Sequence, residues 1–363
     1  VAPRIVVDAM GGDHAPEVVV EGAVHAARAG GVSLVLTGPE ARIRPLATRF
    51  AGGEAPLQSL PIRFVDAPEV IGMEEQPVAA IRRKKQSSIL VGLRLVRDNE
   101  ADAFVSAGNT GAIMAAATLV LGRLPGVERP ALAALLPTKD GTTVLVDVGA
   151  NLDVKPQHLE QFAIMGACLM RAVRGIENPR VALLSIGEEE GKGNELLRRV
   201  HQDLKRAPVN FVGNVDGKDV FSGHADVIVT DGFTGNAILK SCESLVKELF
   251  ALVRREIDGS LMARAGVLLM GPTLRRIGRR MDHSEHGGVP LLGVARPVFI
   301  GHGSSSAKSI RSAIFAAATF AERRVNEAIE EQVRQLALVA QEDGPAGEPH
   351  DAVASGDARK VRP

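Results

Sequence analysis

The chain has no tryptophan and no tyrosine, and its aromatic content is 11 phenylalanines in 363 residues. Single-stranded nucleic acids are gripped by stacking their bases on aromatic rings, so this scarcity removes support for that class of partner. Net charge is missing too: 43 Lys and Arg balance 43 Asp and Glu. A balanced chain gives no global electrostatic reason to bind nucleic acid. Cysteine is scarce, with only Cys168 and Cys242, both in apolar helical patterns. Neither metal nor redox spacing is present, so both read as buried free thiols in a reducing compartment. The N-terminus runs straight into IVVDAMGG and offers no signal-peptide pattern. The longest uncharged stretch covers 20 residues, 103–122, but Ser106, Gly108, Asn109, Thr110 and Gly111 interrupt its first half. A strand, a polar loop and a helix explain it better than a membrane span.

What is present is a globular composition, 45% hydrophobic and 24% charged, with 38 glycines. Short β-branched runs at 4–8, 33–37, 62–66, 103–106, 143–148, 181–186, 210–214, 226–230 and 297–301 read as strands. Helical patterns follow most of them, for instance 18–29, 157–174 and 236–257. This alternation predicts an α/β fold, a three-layer α/β/α sandwich with a mostly parallel sheet. Residues 1–337 read as one α/β catalytic domain, with a protruding basic amphipathic helical segment over 250–285. Residues 338–363 are poor in large apolar side chains and are expected to be a disordered tail.

Six strands end in loops of small and polar residues: DAMGGDHAP (8–16), SAGNTGA (106–112), DVGAN (147–151), SIGEEEGKGNE (185–195), TDGFTGN (230–236) and GHGSSS (301–306). Ligands of open parallel sheets bind outside the carboxyl ends of the strands, where these loops are expected to lie together. Thr110, Thr234 and Ser304 lead directly into helices. A helix N-terminus offers N–H groups and partial positive charge, which suits phosphate, and glycine admits a ligand close to the backbone. Together the loops predict a small anionic ligand. SAGNTG and TDGFTG also echo each other, either by chance in a glycine-rich chain or as two anion cradles.

Within the loops, Lys192 stands between Gly191 and Gly193. It is either a solvated surface charge or a cation aimed at phosphate or a developing oxyanion. The segment is not a phosphate-binding P-loop, because Gly193 follows the lysine where Ser or Thr is required. Asn109, Asn151, Asn194 and Asn236 serve either turns or substrate, and Asn236 at a helix start is a candidate oxyanion donor. Asp8, Asp13 and His14 form either an acid–base group or loop-fixing hydrogen bonds, and His302 is open in the same way. There is no GxSxG elbow, CxxC, HExxH or EF-hand pattern. Asp282-His283-Ser-Glu285-His286 reads as surface or interface, and no metal is assigned. Basic residues including Arg275 and Arg276 alternate with Leu261, Val267, Leu268 and Leu269. That pattern fits either contact with an anionic membrane or acyl chain, or helices packed at a dimer interface.

These loops, with RRKKQSS (82–88) and GGVPLLGV (287–294) in the same order, resemble the PlsX family of bacterial phosphate acyltransferases over about residues 4–330. The resemblance implies transfer of a fatty acyl group from acyl carrier protein to inorganic phosphate, giving acyl phosphate for phospholipid synthesis, with no cofactor. It implies a fold similar to that of the isocitrate/isopropylmalate dehydrogenases and phosphotransacetylases. It also implies a cytoplasmic homodimer peripherally associated with the inner face of the cell membrane, near the glycerol-3-phosphate acyltransferase that consumes acyl phosphate. On this reading Lys192 and Asn236 are catalytic. Asp8, His14, Asn109, Thr110, Asp231, Thr234, Gly235, His302 and Ser304 bind phosphate or organise the pocket. Either the basic run 82–85 or the arginines of 264–280 would dock the acidic carrier protein. A coenzyme A-dependent phosphotransacetylase, a dehydrogenase of the related fold and a non-catalytic carrier-binding scaffold are the competing readings.

Overall fold

Successive residues of the central strands are buried on opposite faces of one sheet, and this alternation creates the layers. Ile5 and Val7 pack on one side while Val6 packs on the other, as do Val181 and Leu183 against Ala182. A strand covered on both faces can afford no polar side, which is why these runs read as continuous apolar segments. The computed structural model describes residues 2–139, 141–259 and 287–342, together with residues 262, 264, 266, 267, 270, 271 and 273, which are helical.

The strands are β1 (Arg4–Asp8), β2 (Ser33–Gly38), β3 (Ile62–Asp66), β4 (Ala103–Ser106), β5 (Ala131–Thr138), β6 (Gly141–Val146), β7 (Arg180–Leu184), β8 (Asn210–Val215), β9 (Val227–Val229), β10 (Val289–Leu292) and β11 (Val298–Ile300). The helices are α1 (Glu17–Ala29), α2 (Glu40–Ala51), α3 (Glu54–Gln58), α4 (Pro77–Arg83), α5 (Ser88–Arg97), α6 (Thr110–Val120), α7 (Pro156–Arg174), α8 (Glu195–Leu204), α9 (Gly232–Asp258), α10 (Ala307–Glu322) and α11 (Val325–Glu342). Helices α1, α2, α7, α8, α10 and α11 cover one face, and α4, α5, α6 and the start of α9 cover the other. The three-layer α/β/α sandwich is therefore as expected.

The strand order is β3-β2-β1-β4-β11-β10-β5-β6-β9-β7-β8. β3, β2, β1, β4 and β11 are mutually parallel, and so are β6, β9, β7 and β8. Between them, β11–β10, β10–β5 and β5–β6 are each antiparallel. Three reversals leave the two parallel halves running in opposite senses. The six loops therefore do not share one edge, as the sequence reading expected. Loops 8–16, 106–112 and 301–306 leave one end of the first half, and loops 147–151, 185–195 and 230–236 leave the opposite end of the second. β5 and β10, which produce the reversal, are the two strands absent from the sequence reading. β5 is rich in the helix formers Ala and Leu, and β10 is four residues long with Pro290 inside it.

Helix α9 buries Gly232, Gly235 and Leu239, all within its first eight residues, and none after them. Its described residues 240–258 are half-buried or exposed, and most of the segment 250–285 expected to protrude lies outside the described residues after Gly259. Helix α11 continues through Glu342, so the expected tail begins as helix, and residues 343–363 lie outside the described residues.

Phe104 is fully buried in β4 and packs against α5 so closely that a Cβ at Gly92 would lie 2.6 Å from its ring. Phe104→Ala is expected to cost about 3–5 kcal/mol. Urea unfolding measures this, and a loss below about 1 kcal/mol would contradict the packing.

Candidate active site

The local geometry starts with two buried carboxylates that do not touch solvent. Asp8 ends β1; its Oδ1 accepts the Met10 amide at 3.0 Å and its Oδ2 accepts the Ser106 hydroxyl at 2.6 Å. Ser106 Oγ in turn accepts the Gly108 amide at 3.1 Å, so Asp8 ties together the loops that follow β1 and β4. Burial pushes the Asp8 carboxyl above its ordinary value despite these bonds. Asp147 does the same for the other half. Its Oδ1 accepts the amides of Leu132, Gly149 and Ala150, and its Oδ2 accepts the amide and side chain of Asn151 at 2.7 and 3.0 Å. Burial raises the Asp147 carboxyl as well.

Helix α9 is seated on this second knot. The Gly232 amide donates to the Asn151 carbonyl at 2.8 Å. A Cβ at Gly232 would sit 2.6 Å from that same oxygen, and one at Gly235 would drive into the Asp147 carbonyl. The glycines of TDGFTGN thus serve helix packing. Asp231 caps the helix, accepting the Thr234 amide at 2.9 Å and the Thr234 hydroxyl at 2.7 Å. Asp231 and Thr234 are thus bonded to each other and half-buried, Gly235 is buried, and none of the three lines the cavity described below. The echo between the two loops is not geometric either: Asn109 caps α6 immediately before Thr110, whereas Thr234 is the third residue of α9.

A cavity of about 560 Å³ lies over the reversal in the sheet. Its walls bring together residues from five of the six loops, including Asp13, Thr110, Val148, Asn236, His302 and Ser304. The apolar part of its lining is Leu132, Ala134, Val148, Leu239, Val289 and Ile300. The Ser304 amide donates to His302 Nδ1 at 3.2 Å and the Ser304 hydroxyl lies 2.8 Å from the same nitrogen, so the neutral ring carries its proton on Nε2. Asn109 is spent on structure: its Oδ1 accepts the Ala112 amide, and its Nδ2 donates to the Met73 and Glu75 carbonyls at 2.9 and 3.0 Å. It thereby holds Met73 at the cavity wall. His14 is exposed in a shallow depression with Glu17, Leu46 and Phe50, away from this cavity.

Lys192 does not line the cavity. Its side chain is 49% exposed and its amine is 4.0 Å from Glu189. In the loop that carries it, Asn214 donates to the Glu189 carbonyl at 3.0 Å and Lys205 binds Glu190. In the run 82–85, Arg83 and Lys84 are both engaged by Glu75. Leu261, Leu268, Leu269, Arg275, Arg276 and the 282–286 cluster lie outside the described residues, and Val267 is helical and half-buried. The Cys168 thiol is buried and pushed up to about 11, which suits an inert core position. Among the described residues, Glu188, Asp216 and Asp219 form the one carboxylate group close enough for a cation, and Lys218 already binds two of its members.

Sequence reading missed Lys240 and Glu243, which also line the cavity. The signal was available: 236, 239, 240 and 243 fall on one face of a helix.

The chain matches the family model described as "Fatty acid synthesis protein" over residues 3–328. The phosphate acyltransferase of Heliobacterium modesticaldum is 48% identical over 330 residues, covering 91% of this chain and 97% of that protein. That of Pelotomaculum thermopropionicum is 47% identical over 334 residues, covering 92% and 96%. The chain belongs to the phosphate acyltransferase family. Among solved structures, a phosphotransacetylase from Staphylococcus aureus aligns with a TM-score of 0.56 and 17% identity, covering 88% of this chain and 94% of that one. A 4-hydroxythreonine-4-phosphate dehydrogenase from Klebsiella pneumoniae aligns with a TM-score of 0.50 and 14% identity, over 88% and 99%. These likenesses carry the fold, which is the one shared by phosphotransacylases and dehydrogenases.

Two outcomes follow for this phosphate acyltransferase family member. Gly235→Ala is expected to destabilise by about 1–3 kcal/mol, because α9 cannot back away without leaving the Asp147 knot; an unchanged thermal midpoint would contradict this. The second concerns the wall segment bearing Met73. The Gly72 amide, then Lys84 and Arg83, hold the Glu75 carboxyl down at about 2, from an ordinary 4.5. A depressed acid stabilises the folded chain above its ordinary pKa and loses that contribution as pH falls through the folded value. The difference in urea midpoint between wild type and Glu75→Gln is therefore expected to close between pH 4.5 and about 2. A difference constant across that window would contradict the assignment.

Proposed function

We infer that the acyl transfer to inorganic phosphate belonging to this family takes place in the cavity over the sheet reversal. The observation that carries this is the pairing of a polar rim, Thr110, Asn236 and Ser304, with an apolar wall, Leu132, Val148, Leu239 and Val289. A fatty acyl thioester meeting phosphate needs both surfaces within a few ångströms, and ligand sites of this kind are mostly apolar with a few placed polar groups.

The chemistry asks little of the protein in proton transfer. A phosphate oxygen attacks the thioester carbonyl, forming a C–O bond; the tetrahedral oxyanion collapses, the C–S bond breaks, and acyl phosphate leaves. The thiol of the carrier protein, with an ordinary pKa of about 8.5, departs as thiolate and takes up the proton carried in on phosphate. What the protein supplies is placement and oxyanion stabilisation. Asn236, in the second turn of α9 and packed where a Cβ at Gly149 would lie 3.7 Å from its side chain, is the oxyanion donor. Thr110 and Ser304 place phosphate; Asn109 and the Asp8–Ser106 pair hold the loop that carries Thr110, and the Gly301 amide on the Ser106 carbonyl and the Asp13 amide on the Gly303 carbonyl hold the one that carries Ser304. Lys192 stands outside the cavity, so for it this reading asks that the 185–195 loop move inward.

The outer face of α9 leaves Leu245, Leu249 and Phe250 exposed by 70%, 56% and 44%. That apolar surface supports a homodimer, and the arginine-rich sequence beyond it supports peripheral contact with the anionic cytoplasmic face of the membrane. Among the described residues no helix is long and apolar enough to cross a membrane.

Purified protein mixed with palmitoyl-acyl carrier protein and inorganic phosphate is expected to release free carrier protein and form an acyl phosphate trapped as its hydroxamate. Asn236→Ala is expected to lower kcat by about 100-fold. Lys192→Ala decides whether the neighbouring loop takes part. Transfer from acyl-coenzyme A in preference to acyl carrier protein would move the reading to the phosphotransacetylase type. Normal turnover in a folded Asn236→Ala variant would remove the reaction from this cavity.

A further inference from the structure

The cavity holds one cationic side chain among its described lining residues, and it is Lys240. Lys240 lies four residues after Asn236 on α9, so the two side chains rise from one face of the helix, a turn apart. Both line the cavity, together with the hydroxyls of Thr110 and Ser304. The Lys240 amine donates to Glu243 at 2.8 Å, a pair formed within the helix, with the two side chains 48% and 30% exposed. Such a pair is weak in water, so it holds the lysine without locking it. Glu243 also lines the cavity. An anion entering there meets one positive charge, already shared with Glu243, a second carboxylate at Asp13, and the side chains of Thr110, Ser304 and Asn236 as polar partners.

We propose that Lys240 is the phosphate-binding cation of the reaction and that Glu243 is its internal competitor. Phosphate takes over the ammonium from Glu243, and the affinity for phosphate is set by the difference between the two partners. A lysine serves this well, since a compact charge on a flexible stem can turn from one oxygen to another. This assignment rests on placing acyl transfer in the cavity, and it is separate from any role of Lys192, which lies outside it.

The two residues are expected to act with opposite signs. In steady-state assays with palmitoyl-acyl carrier protein and titrated inorganic phosphate, Lys240→Ala is expected to raise the KM for phosphate by about tenfold or more, the size of one charge-assisted hydrogen bond. The KM for palmitoyl-acyl carrier protein is expected to stay within about twofold, and Lys240→Arg to recover most of the loss. Glu243→Gln is expected to lower the KM for phosphate by about two- to threefold, as a weak surface pair allows. Lys240→Gln serves if the alanine variant is poorly folded, and equilibrium binding of radiolabelled phosphate reads the same affinities without turnover. An unchanged phosphate KM in folded Lys240→Ala and Lys240→Gln overturns the proposal. So does a fall in kcat at saturating phosphate with KM unchanged, which would give the lysine a role in bond-making instead. If Lys240 variants are silent while Asn236→Ala is slow, the cavity reading stands and only this assignment falls. If Asn236→Ala is also normal, the cavity reading itself is lost.

Discussion

The Asp147 carboxylate is the constraint on which the site depends. It has no exposed surface, and it collects the amides of Leu132, Gly149, Ala150 and Asn151. Those donors come from the start of β5 and the turn after β6, one of the three antiparallel pairs that reverse the sheet. Leaving several buried amides unpaired would cost far more than one ordinary hydrogen bond is worth, so this corner is rigid by necessity. Helix α9 then docks glycine-first on it, with Gly232 and Gly235 at backbone contact distance. The direction of α9, and with it the face carrying Asn236, Leu239 and Lys240, is fixed by that contact.

Reversal of the sheet explains why the cavity has two characters. The first half delivers short polar loops after β1, β4 and β11, the first two tied by the Asp8–Ser106 pair and the third joined to them by the Gly301–Ser106 and Asp13–Gly303 backbone bonds. The second half delivers the α9 face. The antiparallel strands β5 and β10 lie between them and expose apolar side chains where neither set of loops covers them. A charged nucleophile and an acyl chain can meet where these surfaces join. That division follows from topology more than from any single residue.

Much of this was legible in the sequence, and the exceptions have physical causes. Nine strands were marked by β-branched apolar runs, and the six loops by glycine with Ser, Thr or Asn. β5 and β10 were not, because Ala131–Thr138 favours helix by composition and Pro290 argues against a central strand. Missing them hid the reversal and placed all six loops on one edge. Residue roles were harder still. Thr234 and Gly235 look like a phosphate cradle in one dimension, but Asp231 takes the Thr234 hydroxyl and the Asp147 carbonyl occupies the space beside Gly235. Lys192 drew attention by its flanking glycines, whereas Lys240 sits inside a helical run and reveals itself only by its spacing from Asn236. A glycine near a polar residue signals a close approach; the sequence does not say whether a ligand or another part of the chain makes it.

The central claim is that one cavity over the sheet reversal receives both phosphate and the acyl chain. A crystal structure with a non-hydrolysable phosphonate analogue of palmitoyl phosphate tests it most directly. The account predicts the phosphonate between Thr110 and the Asn236 face of α9, with the alkyl chain along Leu132, Leu239 and Val289. A phosphonate bound on the 185–195 loop, with this cavity empty of both head group and chain, would contradict it.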